Sequence, residues 1–357
     1  MTNVLPVEQI ELATRLGAAI DAINAALAGV TDPGQLLIGA KCRGLMAGYD
    51  ARWCAEEMQV EDVEYLLESD LWNPETGRKS RSFRVSGKVD ARVVLEGRLL
   101  IMDHKTTSDD ISTPDAPYWK QLVVEGQVSH YMLLEWLNGR KVDGAIWDVI
   151  HKLAIAPKNV IKAEVPRVLN SGEYFGRKMS PAALDQLRET GREDLEMYEA
   201  RLAYDCAVER PQRYFQRRSV LRIDAEIHEY ATELWEHGQE ILHVQNTQRN
   251  VRNSGACMLY NTPCQFLGVC SGHDSLESDK WQRKACVHSE LPIEGDGRDV
   301  LTNSRIRCFQ TCRRKHYNDY ELGVERSDDE ERASLYFGTL LHKGLEAWFL
   351  AAKEAAE

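Results

Sequence analysis

The chain lacks any apolar run of about eighteen residues, and its first residues do not set a basic patch ahead of an apolar one. Neither a membrane span nor a secretion signal is expected, and the expected address is cytoplasmic. Positive charge is scarce: 44 Lys and Arg stand against 56 Asp and Glu, a net charge of -12. That excludes a surface coated in basic residues, though not a local basic groove. No H-E-x-x-H or comparable ligand set with an open position occurs, so a zinc-dependent hydrolase lacks its usual catalytic ligands. What is present suffices for a substantial core: 357 residues, 43% apolar, with eight tryptophans. Nine cysteines without a secretion signal read as thiols or metal ligands, not as a disulfide framework.

Ser86 to Thr107 is the stretch around which the rest is organised. Val89, Ala91, Val93 and Leu95 alternate with mostly polar residues, Glu96-Gly97 has the composition of a tight turn, and Leu99 to Met102 is a short apolar run. A β-hairpin is predicted. Its pairing brings Asp90 near Asp103, with Lys105 two residues further along the same face. Acids in such a place are costly unless paired or metal-bound, so the trio is a salt-bridged triad or a hard-cation site. The plain alternative is a surface hairpin with ordinary charges. With Gly87 ahead of Asp90 and Thr106-Thr107 after Lys105, the stretch spells G-x-x-D...D-x-K-T. That pattern resembles the PD-(D/E)XK nuclease superfamily, in its RecB-like, phage-exonuclease-like branch.

Around the hairpin the chain alternates helix and strand. Ile10, Leu12, Ala13, Leu16, Ile20, Ile23 and Leu27 recur at helical spacing over residues 7 to 28. Asp32-Pro33-Gly34 ends that helix, and a second is expected from Leu36 to Met58, where Cys42 and Cys54 read as small buried hydrophobes. A strand follows over Val63 to Leu67, then a polar loop from Ser108 to Pro117 placed to cover or guide a substrate. A helix is expected from Gln121 to Leu137 and an apolar strand from Gly144 to His151 beside the hairpin. Residues 180 to 250 read as charged and helical. They are interrupted by Arg213, Arg217, Arg218 and Arg222, either a nucleic-acid groove wall or solvated helix surface. Gln127 and Tyr131, one helical turn apart, mean little alone. The resemblance makes them the Q-x-x-x-Y motif that follows the D-x-K strand.

Cys257, Cys264 and Cys270 lie in a loop rich in Gly, Asn and Pro turn chemistry, at a spacing able to hold zinc or an iron-sulfur centre if a fourth ligand joins them. Cys286 and Cys312 are the candidates. The resemblance implies a 4Fe-4S cluster, because RecB-like nucleases join three cysteines after the core to one before it, here Cys312. Structural Zn2+ is the alternative, and the spacing is wider than the C-x2-C of familiar examples.

Residues 301 to 357 resemble the opening of such a nuclease, not its end. Cys312-Arg313-Arg314-Lys315-His316-Tyr317 resembles the N-terminal cysteine motif, and Gly338-Thr339-Leu340-Leu341-His342 the helix carrying the family histidine. Joined ahead of Met1, the segment restores the usual order, so the chain reads as circularly permuted. Residues 1 to 292 are then core, helical region and cysteine loop, 293 to 300 a linker, and 301 to 357 the displaced opening. A truncated second copy, or the way the reading frame is bounded, gives the same sequence. By residue pattern alone, His342 beside Leu340, Leu341 and Leu345 is a satisfied core histidine.

The resemblance implies an α/β fold: a restriction-endonuclease-like mixed sheet flanked by helices, with an added helical region and a cysteine loop. It also implies a metal-dependent deoxyribonuclease, an exonuclease in DNA repair, recombination or phage-related processing, with a helicase or recombination protein as partner. Asp90 and Asp103 then hold Mg2+ or Mn2+, completed by His342 and the His104 carbonyl. Lys105 positions water or stabilises charge on the phosphate, while Gln127 and Tyr131 orient the site or touch the strand. The rival reading is a catalytically silent nucleic-acid-binding module with a structural metal or iron-sulfur site.

Overall fold

The computed structural model describes residues 7–259, 262–288, 291, 297–327 and 333–356. Three antiparallel strands form a meander: β1 (Met58–Trp72), β2 (Lys79–Leu95) and β3 (Arg98–Thr107). The β2–β3 turn is Glu96-Gly97, with φ of 51° and 74°, the left-handed pair that lets a two-residue hairpin follow strand twist. β4 (Gly144–His151) lies parallel to β3, and β5 (Phe215–Val220) antiparallel to β4. β6 (Asp299–Leu301) pairs in parallel with Phe83 to Val85 of β2. Since β1 takes the whole other edge of β2, β6 and β3 share one edge. β3 pairs only with Ala91 to Leu95, so Asp90 stands where that edge opens into a fork.

The alternating side chains bury two faces. Met102, Ile146 and Ile150 pack under α1 (Val7–Ala26), α2 (Pro33–Trp53) and the last helix, Ala333–Glu354. On the opposite face, Ile101, Trp147 and Val149 pack under α3 (Pro117–Val123), α4 (Gly126–Leu137) and the long helix Asp224–Thr247. α5 (Pro181–Thr190) and α6 (Leu195–Tyr204) belong to an appended cluster around Val168, Leu187 and Met197. α7 is Asp224–Thr247, α8 is Asn303–Thr311, and α9 is Ala333–Glu354. Among the described residues no helix is long and apolar enough to cross a membrane.

Four expectations are corrected. The second helix ends at Trp53, and Met58 already begins β1, whose span exceeds the predicted Val63 to Leu67. The predicted helix from Gln121 to Leu137 is two helices broken at Val124 and Glu125. Of the basic stretch, Arg217 and Arg218 lie in the edge strand β5, with Arg213 in the short turn of helix before it and Arg222 after it, so the Arg217 side chain is buried instead of lying on a solvated helix. Residues 293–296 of the expected linker, 293 to 300, lie outside the described residues, and its Asp299 and Val300 belong to β6.

The chain's final segment is fastened to the rest at several points. Arg305, 1% exposed, places Nη1 2.5 Å and Nη2 2.7 Å from the two Asp299 carboxylate oxygens and Nη2 3.0 Å from Glu321. At the other end, Trp348 donates its indole N–H to Asp50 at 2.7 Å, and Leu341, Leu345 and Phe349 are buried in the same core.

Candidate active site

Gly87 lets the fork form. A Cβ there would stand 2.9 Å from the Tyr131 ring, so only glycine allows β2 to approach α4 this closely. α4 is further seated by His130, whose Nε2 lies 3.0 Å from the Ser86 carbonyl. On β3, Lys105 Nζ lies 2.5 Å from Asp103 Oδ2 and donates to Gln127 Oε1 at 2.8 Å; Gln127 Nε2 lies 2.8 Å from the Tyr131 hydroxyl. Asp103 and Lys105 of the hairpin and Gln127 and Tyr131 of α4 thus form one chain of contacts across the sheet face. Asp103 is 1% exposed, and its Oδ2 has no well-aligned hydrogen bond despite that close ammonium. The Lys105 ammonium compensates the charge of that oxygen, and the carboxylate is otherwise without a well-aligned donor.

Asp90 faces a different group. Its Oδ2 accepts the His104 backbone N–H at 2.6 Å. Among the described residues, Glu64, Asp90 and His342 are the set whose ligand atoms lie mutually within 4.8 Å. Asp103 is not a member. Glu64 sits opposite Asp90 between the pairs Val63–Ala91 and Tyr65–Val89, at φ 50°, a strained conformation for a non-glycine residue, and Lys88 holds its carboxylate at 2.5 Å. The sequence carries no signal that singles Glu64 out, since it is one of several acids in β1. Burial and the neighbouring Asp103 raise the Asp90 carboxyl well above the ordinary carboxylate range. Burial, with His104 and Lys105 adding positive charge nearby, lowers the His342 imidazole to about 3, so it is neutral and able to donate a lone pair at pH 7. Two carboxylates and a neutral imidazole fit a divalent cation that accepts oxygen and nitrogen donors. The Asp103 carboxylate, ion-paired to Lys105, stands close enough to act on Asp90 electrostatically.

Behind this group lies a buried network that sequence reading missed. His104 Nδ1 lies 2.9 Å from Asp148 Oδ2, which also accepts the Tyr49 hydroxyl at 2.5 Å, while Arg217 donates to Asp148 Oδ1 at 3.1 Å. Burial alone would raise the Asp148 carboxyl, but Arg217 and His104 outweigh it and hold it ionised. The network fixes the His104 ring and, through it, the peptide whose N–H holds Asp90. Asp148 could have been suspected as an acid inside an apolar strand.

The cysteines gather elsewhere. Asn253 bridges two of them, its N–H 3.4 Å from Cys312 Sγ and its carbonyl 3.7 Å from Cys257 Sγ; the Cys264 N–H donates to the Cys257 carbonyl at 2.9 Å. Burial raises the Cys270 thiol, and Cys264, Cys312 and Cys257 are close enough to act on it electrostatically. Cys286 instead contacts the His288 carbonyl at 3.2 Å and is not among those neighbours. A tetrahedral Zn–thiolate site sets sulfurs about 3.8 Å apart. Among the described residues no three cysteine sulfurs come within 4.8 Å of one another, so they are not gathered as a single-ion site.

A mixed sheet flanked by helices, opening into a fork of acids beside a lysine, is a restriction-endonuclease-like fold. The family model of the PD-(D/E)XK nuclease superfamily matches residues 300–357, the segment that carries Cys312 and His342. No curated protein matches the chain.

Proposed function

We propose that the chain is a metal-dependent deoxyribonuclease that hydrolyses phosphodiester bonds from DNA ends, in repair, recombination or phage-related processing. The observation that carries this reading is the meeting, at one fork, of the Asp103–Lys105–Gln127 contacts with the Glu64–Asp90–His342 group. Mg2+ or Mn2+ held by that group would supply Lewis acidity toward water and phosphate. Asp103 stands beside it as a further ligand, and the His104 carbonyl as another. Lys105, held by Asp103 and Gln127, orients water or neutralises charge growing on the phosphate oxygens. Tyr131 holds Gln127. A helicase or recombination protein would deliver the DNA. The test compares labelled linear and circular DNA with Mg2+, Mn2+ and EDTA. End-dependent cleavage that EDTA abolishes is expected; binding without cleavage under every condition would make the chain a silent DNA-binding module.

The same reading assigns Cys257, Cys264, Cys270 and Cys312 to a 4Fe-4S cluster, which spans a wider gap than one ion. Protein purified anaerobically should be brown and contain iron, and Cys312→Ser should lose both; colourless protein with stoichiometric zinc would replace the cluster by a structural ion. It also makes the chain order a circular permutation, in which residues 299 onward supply what family members place first. Support comes from the family match at residues 300–357 and from β6 and α9 joining the sheet and core of this same chain.

A further inference from the structure

A groove of about 450 Å³ lies between α3 and the β5 rim, lined by Trp119, Lys120, Val123, Trp147, Arg218 and Leu221 among others. It adjoins the acid fork through Trp147, whose ring centroid is 5.2 Å from Lys105 Nζ. Trp147 is 1% exposed and its indole N–H has no hydrogen-bond partner among the described residues.

The groove combines two features that are separately unusual here. In this acidic chain, buried arginines such as Arg92, Arg201, Arg217 and Arg305 are paired with carboxylates. Along the groove the cations are not. Arg218 stacks over Trp119 at 3.8 Å and donates to the Pro114 carbonyl at 2.8 Å. Arg222 donates to the Val123 carbonyl at 2.6 Å, the Leu221 carbonyl at 3.2 Å and Ser129 Oγ at 3.2 Å. Among the described residues, neither these guanidiniums nor the exposed Lys120 ammonium meets a carboxylate within 4.0 Å; Asp115, also on the lining, acts on Arg218 from beyond that distance. Beside these cations, Val123 and Leu221 are 63% and 62% exposed, continued by Val124 at 81% and Ile223 at 65%. Arg222 binds the backbones of both walls and so fixes Val123 and Leu221 relative to each other.

Cations without a direct ion pair call for an anion, and exposed aliphatic walls for a flat apolar face. A nucleotide offers both, and the groove volume is that of a small-ligand site. We propose that this groove takes one unpaired nucleotide of the strand being cut, its base against Val123 and Leu221 and its phosphate at Lys120 and Arg218. This deepens the nuclease reading and rests on it. The base must leave its duplex to enter, so the groove favours single-stranded ends.

The test measures binding in EDTA by fluorescence anisotropy, with a labelled single-stranded oligonucleotide and a blunt duplex, on the full chain. Val123→Ser with Leu221→Ser, both exposed and so harmless to folding, should weaken single-strand binding about tenfold while duplex binding stays within about twofold. Lys120→Ala should reduce the salt slope of log K by about one. Parent-like single-strand affinity in the double variant, or an equal loss on duplex, overturns the groove; an unchanged slope in Lys120→Ala overturns its phosphate contact. The assay needs no turnover, so absence of Mg2+-dependent cleavage by the unmodified chain strikes the nuclease reading separately.

Discussion

The β2–β3 hairpin and the segment from Asp299 to Glu354 both supply the fork, yet they reach it by different physics. In the hairpin, neighbours in sequence become neighbours in space: a two-residue turn sets the register, and alternation decides which side chains face inward. The final segment has no such local rule. It arrives through a three-residue parallel pairing, a buried guanidinium and a helix packed under the sheet. One region can therefore lose its chemistry without losing its shape, while the other can lose its place without losing its chemistry.

The largest effect should come from the hairpin. Lys105→Ala or Asp103→Asn removes charge at the fork and little packing. We expect cleavage to fall about a thousandfold, with the thermal midpoint close to that of the parent. Parent-like rates in both variants would break the comparison, because the hairpin would then carry shape alone.

Next in size is a displacement of the final segment. Arg305→Met leaves Asp299 and Glu321 without their shared cation. Because those acids are 39% and 23% exposed, the expected cost is about 2–3 kcal/mol, below that of a fully buried pair. Urea unfolding measures it, and hydrogen exchange should rise over Asp299 to His316 while the β2–β3 amides stay protected.

These outcomes also mark what was readable in the residues. The hairpin, its turn and β4 at Gly144 to His151 follow from short-range patterning, whereas the Gln127–Tyr131 pair stands out only through the family likeness. Glu64 followed from neither, because its role depends on facing Asp90 across a strand pair and on a positive φ that no residue type announces. Asp148, Tyr49 and Arg217 meet only after α2, β4 and β5 pack together. The placement of α9 was readable only as a family likeness, since more than two hundred residues separate His342 from Asp90 and no local pattern spans that distance.

A smaller effect compares ligands from the two regions. His342→Ala and Glu64→Gln should each weaken Mn2+ binding about 10–100-fold by titration calorimetry, leaving Lys105 and Gln127 in place. If Glu64→Gln binds Mn2+ like the parent, Glu64 is only the ion-pair partner of Lys88 and the ligand group must be redrawn around Asp103.

The smallest effect is a pH dependence belonging to the final segment. Burial alone would raise the Asp299 carboxyl, but Arg305 outweighs it and holds it below the ordinary range. A carboxyl depressed in the folded state stabilises fully above its unfolded value, about 4, and that contribution fades as pH falls through the folded value. Asp299→Asn resembles the protonated acid at every pH. At pH 6 it should therefore be less stable than the parent by about 1 kcal/mol, a modest figure because the carboxylate is 39% exposed and screened. By pH 3 the gap should narrow sharply. The matched hairpin control is Glu96→Gln, which removes an ion pair to Arg98 whose partners are 75% and 43% exposed and should leave the urea midpoint unchanged across the same range. A gap between parent and Asp299→Asn that persists undiminished to pH 3 would show that Asp299 acts through shape and hydrogen bonding, not charge, and that the final segment is held like the hairpin after all.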